Sequence, residues 1–251
     1  MKISSSVLSV ILLIGGVAFA DVNGAPVTTK GHYAFYVDHQ PWFSQQAQGD
    51  PGAKPAVTSV TRIGVLYGFA DLQEVGLVRI DDTYVFPAAS AERVYTAPDL
   101  GFTYAYEISK LFPVGFDLRF QFEYDLPRLS VAHVNGQSPA DDNAWRTGAT
   151  YYGLAGSKEL SVRGLYAGGF VGVMNIWNKN LNSAYEINEQ GASAYMIGAG
   201  LDYVVPNTTF TLYTTVGHMD NNDLVGKEDA IGVKARNNKA DYITAGLRYD
   251  I

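Results

Sequence analysis

The stretch Pro113–Pro127, PVGFDLRFQFEYDLP, decides the fold. Val114, Phe116, Leu118, Phe120, Phe122, Tyr124 and Leu126 alternate with Gly115, Asp117, Arg119, Gln121, Glu123 and Asp125. A period of two sustained this long makes a β-strand with one apolar face and one wet face. Which face looks inward is not settled by the alternation.

The same period recurs along the chain. DLGFTYAYEIS sets Leu100, Phe102, Tyr104, Tyr106 and Ile108 against Gly101, Thr103, Ala105 and Glu107. SAYMIGAGLDYVVP sets Tyr195, Ile197, Ala199, Leu201, Tyr203 and Val205 against Met196, Gly198, Gly200 and Asp202. The terminal ADYITAGLRYDI sets Ile243, Ala245, Leu247, Tyr249 and Ile251 against Thr244, Gly246, Arg248 and Asp250. Less regular strands are expected over 31–38, 57–70, 73–85, 144–156, 160–177 and 208–220, which brings the count to ten. Within 160–177 the glycines Gly164, Gly168, Gly169 and Gly172 blur the register and suggest a bulge. DAIGVKAR, Asp229–Arg236, reads as a hairpin arm of the last loop, with twelve strands as the alternative to ten.

Tight connections at Ala70–Gln73, Ser109–Pro113, Gly156–Glu159 and Val205–Thr208 alternate with longer polar ones. The long ones are His39–Ala56, Phe86–Thr96, Pro127–Asn143, Asn178–Gln190 and Asn221–Lys239. With an even strand count, strict alternation puts both ends of the domain and every short turn at one rim.

The first twenty residues, MKISSSVLSVILLIGGVAFA, carry one Lys, an apolar run from Val7 to Phe19 and Ala18-Phe19-Ala20. That is the pattern of an export signal cleaved after Ala20. The run is too short for a spanning helix, and no later apolar run approaches eighteen residues. The reading is therefore a signal at 1–20, a short lead at 21–30 and one domain at 31–251. The formal net charge of −7 becomes one unit more negative without Lys2, which argues against nucleic acid as a partner. An exported chain without Cys is held by packing or by a closed hydrogen-bond network, since no disulfide is available. Its 26 Gly and 17 Tyr favour β-structure over a helical bundle.

Two arguments orient the faces. A closed ten-stranded barrel has limited room inside, and each apolar face carries four or more large residues, whereas the Gly-, Thr- and Ala-rich faces fit an interior. The wet faces carry Arg62, Glu107, Asp117, Arg119, Glu123, Arg146, Arg163, Asp202 and Arg248 near mid-strand. Facing lipid, each basic one would cost roughly 2–4 kcal/mol; facing a lumen, they can pair.

The C-terminal TAGLRYDI resembles the signature by which the assembly machinery recognises bacterial outer-membrane β-barrels. Thr244, Gly246, Tyr249 and Ile251 match it in place, with Ile251 where that group usually ends in Phe. Together with the export signal and the alternating loops, the resemblance covers the whole mature chain at the level of architecture. It implies an all-β, closed antiparallel transmembrane barrel in the outer membrane, with short periplasmic turns and longer extracellular loops. The implied partners are outer-membrane lipid, lipopolysaccharide and the barrel assembly machinery. Aromatics Phe69, Phe112, Tyr203, Phe210 and Tyr249 would girdle the short-turn rim.

Candidate chemistry is sparse. Asp81-Asp82 and His218 with Asp220 fall at loop-side strand ends. The ten-stranded omptin proteases resemble this, setting an acidic pair against a His–Asp pair that activates water. Here the order is His-x-Asp where omptins have Asp-x-His, so solvated loop residues are the expected role. Ser130 and His133 are the nominal pair for a lipid-modifying esterase. His32, His39, His133 and His218 are too scattered for a metal site, no phosphate loop precedes a helix, and no cofactor is expected. The expectation is a non-enzymatic barrel. Its charged lumen is either a salt-bridged plug or a narrow polar pore, and Trp42 and Phe43 in the first long loop offer a surface contact patch. A soluble exported β-barrel is the remaining alternative.

Overall fold

The computed structural model describes residues 27–44, 57–86, 92–95, 99–109, 111, 114–131, 144–180, 190–220 and 239–251. The expected export signal, most of the long loops, Phe112, His133 and Asp229–Arg236 lie outside them.

Ten strands form the wall: β1 Tyr33–Ser44, β2 Val57–Ala70, β3 Gln73–Phe86, β5 Asp99–Glu107, β6 Asp117–Val131, β7 Ala144–Glu159, β8 Leu165–Asn180, β9 Gln190–Val204, β10 Phe210–Asp220 and β11 Lys239–Asp250. All neighbours pair antiparallel, and β1 pairs with both β2 and β11, which closes the sheet. A four-residue arm, β4 Glu92–Tyr95, pairs only with the loop-side end of β3 and adds no stave. Closure leaves no sheet edge, so each wall strand finds hydrogen-bond partners on both sides.

Both ends of the wall meet at the short-turn rim. Tyr33 N donates to Ile251 O at 3.0 Å, and Ile251 N donates to Tyr33 O at 2.8 Å. The short turns lie between Ala70 and Gln73, Glu107 and Asp117, Glu159 and Leu165, and Val204 and Phe210. One of them corrects the sequence reading. β7 runs on through Glu159, and the reversal falls at Leu160–Gly164, where Gly164 takes φ +79° and its N–H meets Glu159 Oε1 at 2.7 Å. The first long loop is also shorter than expected, because Trp42 and Phe43 belong to β1, opposite Thr58 and Val57 of β2.

The bulge expected among the β8 glycines is not there; β8 keeps one register with β7 and with β9. Register shifts fall instead between Asp125 and Arg128 of β6 and between Gly68 and Ala70 of β2. Pro127 accounts for the first, since it has no N–H to give the ladder.

The opening question has a clear answer. On β6, Arg119, Gln121, Glu123 and Asp125 are buried, while Leu126 is exposed and Phe120, Phe122 and Tyr124 are half-buried. On β10, exposed Leu212, Thr214 and Val216 alternate with buried Thr211, Tyr213 and Thr215. The apolar face looks out around the whole wall: Ile63, Leu77, Leu100, Phe102 and Val171 are each at least half exposed. An uninterrupted apolar belt of this kind is stable only against lipid. Toward the short-turn rim the belt becomes aromatic, with Phe210 stacked near Tyr249 (4.9 Å between ring centroids) and Tyr33 near Tyr67 (4.8 Å). Amphipathic rings of this kind suit the membrane–water boundary.

Candidate functional site

The lumen is the site that the fold builds, and side chains fill it. At mid-height Arg62 is the hub, 1% exposed. Its Nε donates to Asp38 Oδ1 at 3.0 Å and its Nη2 to Gln40 Oε1 at 2.8 Å. The Tyr213 hydroxyl donates to Asp38 Oδ2 at 3.1 Å from the other side of β1 and β11. Arg62 also interacts electrostatically with Glu123, which β6 brings from across the lumen. Four strands thus converge on one guanidinium.

Toward the loops the filling is apolar. Tyr151, Phe170, Met174, Ala194, Met196 and Tyr242 form one buried cluster there; a second, Ala34, Tyr36, Leu66, Val78 and Ile80, lies beside Arg62 and extends toward the short-turn rim, with Tyr36 opposite Arg248. Rings lie over bare backbone: Tyr36 covers Gly64, Tyr242 covers Gly217, and Tyr213 covers Gly246, so that a Cβ at any of these glycines would overlap the ring. This pairing lets a narrow barrel hold several tyrosines at interior packing density.

Polar groups share the short-turn end with this second cluster. Arg248 donates from Nε and Nη2 to Asp250 Oδ1 at 2.9 and 2.7 Å. Glu74, 1% exposed, accepts the backbone N–H of Thr28 at 2.6 Å. Glu107 stands directly opposite Arg119 in the β5–β6 register and accepts from Ser109 Oγ at 3.0 Å. With its amide turned so that oxygen faces Arg119, Gln121 accepts from Arg119 Nε at 3.0 Å.

The structure places the nine nominated charges unevenly. Arg62, Glu107, Arg119, Glu123, Asp202 and Arg248 are buried on inward faces, and Asp117 is half-buried at the start of β6. Arg163 is exposed in the turn between β7 and β8, outside the lumen, because β8 starts later than the sequence suggested. Arg146 lies on β7 opposite Leu129 and Lys179. Sequence reading missed Asp38, Gln40 and Glu74, the partners that organise the network. Only Asp38 and Gln40 carried a signal, as polar residues in step with Tyr36 on β1.

Two of the residues weighed for catalysis lie on outward faces of the wall. His218 shares the outward face of β10 with Leu212 and Val216, and its Nδ1 lies 2.7 Å from Asp241 Oδ1, not against Asp220. Asp81 shares the outward face of β3 with Leu77 and pairs with Arg79 at 3.0 Å. Strands β11, β1 and β2 separate β10 from β3. Ser130 lies on β6 opposite Trp145, and Asp82 on β3 opposite Val60. Among the described residues no group of three or more His, Asp or Glu side chains is placed to hold a metal.

The C-terminal motif divides between the two faces. Thr244 is buried in the lumen and Gly246 lies beneath the Tyr213 ring, while Tyr249 and Ile251 face outward at the short-turn rim.

No protein-family model matches the chain, and no curated protein matches it. Solved structures do. The translocator domain of the autotransporter NalP from Neisseria meningitidis superposes with a TM-score of 0.50 at 10% identity, covering 91% of this chain and 90% of that one. An outer membrane channel from Pseudomonas putida F1 gives 0.46 at 13% identity, covering 93% and 98%. The outer membrane protease OmpT from Escherichia coli gives 0.39 at 10% identity, covering 90% and 99%. At these identities the likeness is one of fold alone, and a fold does not choose a function. The chain is a closed, ten-stranded, membrane-spanning β-barrel of the bacterial outer-membrane type.

Proposed function

We propose that this barrel is a closed-lumen protein of the Gram-negative outer membrane, non-catalytic and non-conducting, whose role is structural and surface-directed. The observation that carries the reading is the Arg62 hub. A guanidinium held by Asp38 and Gln40, with Tyr213 on the same carboxylate, occupies the middle of the lumen between two apolar clusters. A conducting path needs a continuous column of water bounded by polar side chains. The apolar clusters on either side of the hub offer such a column no polar lining. Ser44 of β1, Val131 of β6, Asn180 of β8 and Asp220 of β10 end at the rim opposite the short turns, where the surface-directed role resides. Outward placement of His218 and Asp81 supports the non-catalytic part, since neither faces an enclosed reaction space.

The test is conductance of the refolded barrel in planar bilayers. No discrete, stable current steps are expected at moderate voltage. Steady ohmic conductance in every insertion would overturn the reading and make the charged lumen a pore.

A further inference from the structure

The wall closes without the segment that precedes it. β1 begins at Tyr33, and every ladder of the ten-stranded sheet forms among residues 33–250. Upstream, Val27 and Thr28 are buried inside the short-turn mouth, at 8% and 2% exposure. Lys30 makes an isolated parallel bridge to Gly68, and Gly31, with φ +84°, redirects the chain into β1. Lys30 itself points out to Asp71 on the exposed β2–β3 turn, 3.6 Å away.

What holds this strap is mostly main-chain recognition. Glu74 takes the Thr28 N–H at 2.6 Å, and Arg248 Nη2 donates to Thr28 Oγ1 at 3.0 Å. Gly31 N donates to Gly68 O at 2.7 Å, and Gly68 N donates to His32 O at 3.1 Å. Gly68 is also informative by what it lacks. At Gly64, Gly217 and Gly246 the space of a side chain is taken by a tyrosine of the wall, but at Gly68 it is taken by the carbonyls of Thr28 and Thr29. The wall is thus shaped around an extended peptide in the way that a sheet edge accepts an added strand, through backbone groups with one side-chain contact for selectivity.

We propose that the short-turn mouth is a receptor site for an extended peptide, occupied in cis by the chain's own Val27–Lys30 strap and separable from the barrel fold. Its ligand class is an extended segment that presents a backbone N–H and a hydroxyl as Thr28 does. This goes beyond the closed-lumen reading, because the strap lies below the Arg62 hub and can leave with the hub intact.

The chain has no Cys, so single cysteines report on the strap. Val27→Cys, and Asp71→Cys on the exposed turn as reference, are introduced into the mature chain refolded in vesicles. A bulky maleimide is given access to the short-turn side, and folding is checked by the difference in gel migration between unheated and boiled samples. Val27→Cys is expected to label at least tenfold more slowly than Asp71→Cys. Adding Gly68→Val, or Glu74→Gln where Gly68→Val does not fold, is expected to bring its rate to within threefold of the reference. A synthetic peptide of residues 21–32 in excess is expected to raise the rate saturably, at least threefold, whereas the same peptide with Thr28→Val does not. Equal labelling of the two cysteines overturns the proposal. So does a slow rate that neither the substitutions nor the peptide changes, since the strap would then be a fixed part of the fold. Neither result depends on whether the lumen conducts.

Discussion

Replacing Arg62 with Leu tests the hub most directly. The substitution removes the Nε bond to Asp38 and the Nη2 bond to Gln40. Asp38 is then left at 3% exposure with the Tyr213 hydroxyl as its remaining hub contact. Breaking a buried ion pair by removing one partner costs about 3–5 kcal/mol, chiefly because the other charge stays buried without compensation. The pair itself contributes much less, since desolvating both ions offsets most of their attraction. Arg62→Leu should therefore destabilise by about 3–5 kcal/mol. The double variant Arg62→Leu/Asp38→Leu, which removes both charges, should recover most of that loss. Arg163→Ala serves as the control: this arginine is exposed in a turn, and its loss should stay within about 0.5 kcal/mol. Equilibrium urea unfolding in lipid vesicles, with unchanged slope, measures all three. If Arg62→Leu costs under about 1 kcal/mol, the guanidinium is hydrated in solution and the lumen is open. If the double variant is worse than the single, charge compensation is not what the hub provides.

Two further outcomes follow from the wall. Phe120 faces outward between Tyr106 and Leu154, so Phe120→Arg should cost about 2–4 kcal/mol in the same unfolding assay, the midplane penalty for a basic side chain on the lipid face. A cost near zero would place Phe120 in water. Gly246→Val sets a branched side chain against the Tyr213 ring and should cost about 1–3 kcal/mol by overpacking, with part of it recovered by Tyr213→Ala. If Tyr213→Ala leaves the cost unchanged, the glycine serves the assembly signal and not the ring.

Much of the barrel was legible in one dimension. β5, β6, β9 and β11 alternate cleanly because their outward faces meet lipid and their inward faces meet charge or small residues. Side-chain direction in a strand is purely local, so the period of two is written in the sequence wherever the two media differ. The turn–loop alternation gave the strand count and put both ends of the wall at one rim, since an antiparallel meander allows no other arrangement.

The lumen was decided by closure. β2, β3 and β8 read as irregular because their inward faces carry Leu66, Val78, Ile80, Phe170 and Met174, which blur the contrast that a wet lumen would leave. Their packing partners come from other strands: Tyr242 of β11 reaches Gly217 of β10, and Tyr213 of β10 reaches Gly246 of β11 and Asp38 of β1. No local pattern records such meetings. The same holds in part for Arg62: Asp38 stands directly opposite it on the adjacent β1, but Tyr213 of β10 reaches Asp38 only because β1 pairs with β11. Arg163 shows the opposite limit. Its place depends on where β7 turns into β8, and Gly164, with a positive φ, sets that reversal eight residues past the expected end of β7. Sequence alone determines which face of each regular strand is greasy. Which residues share the interior, and so whether the barrel is open, follows from a ring closure that brings distant strands together.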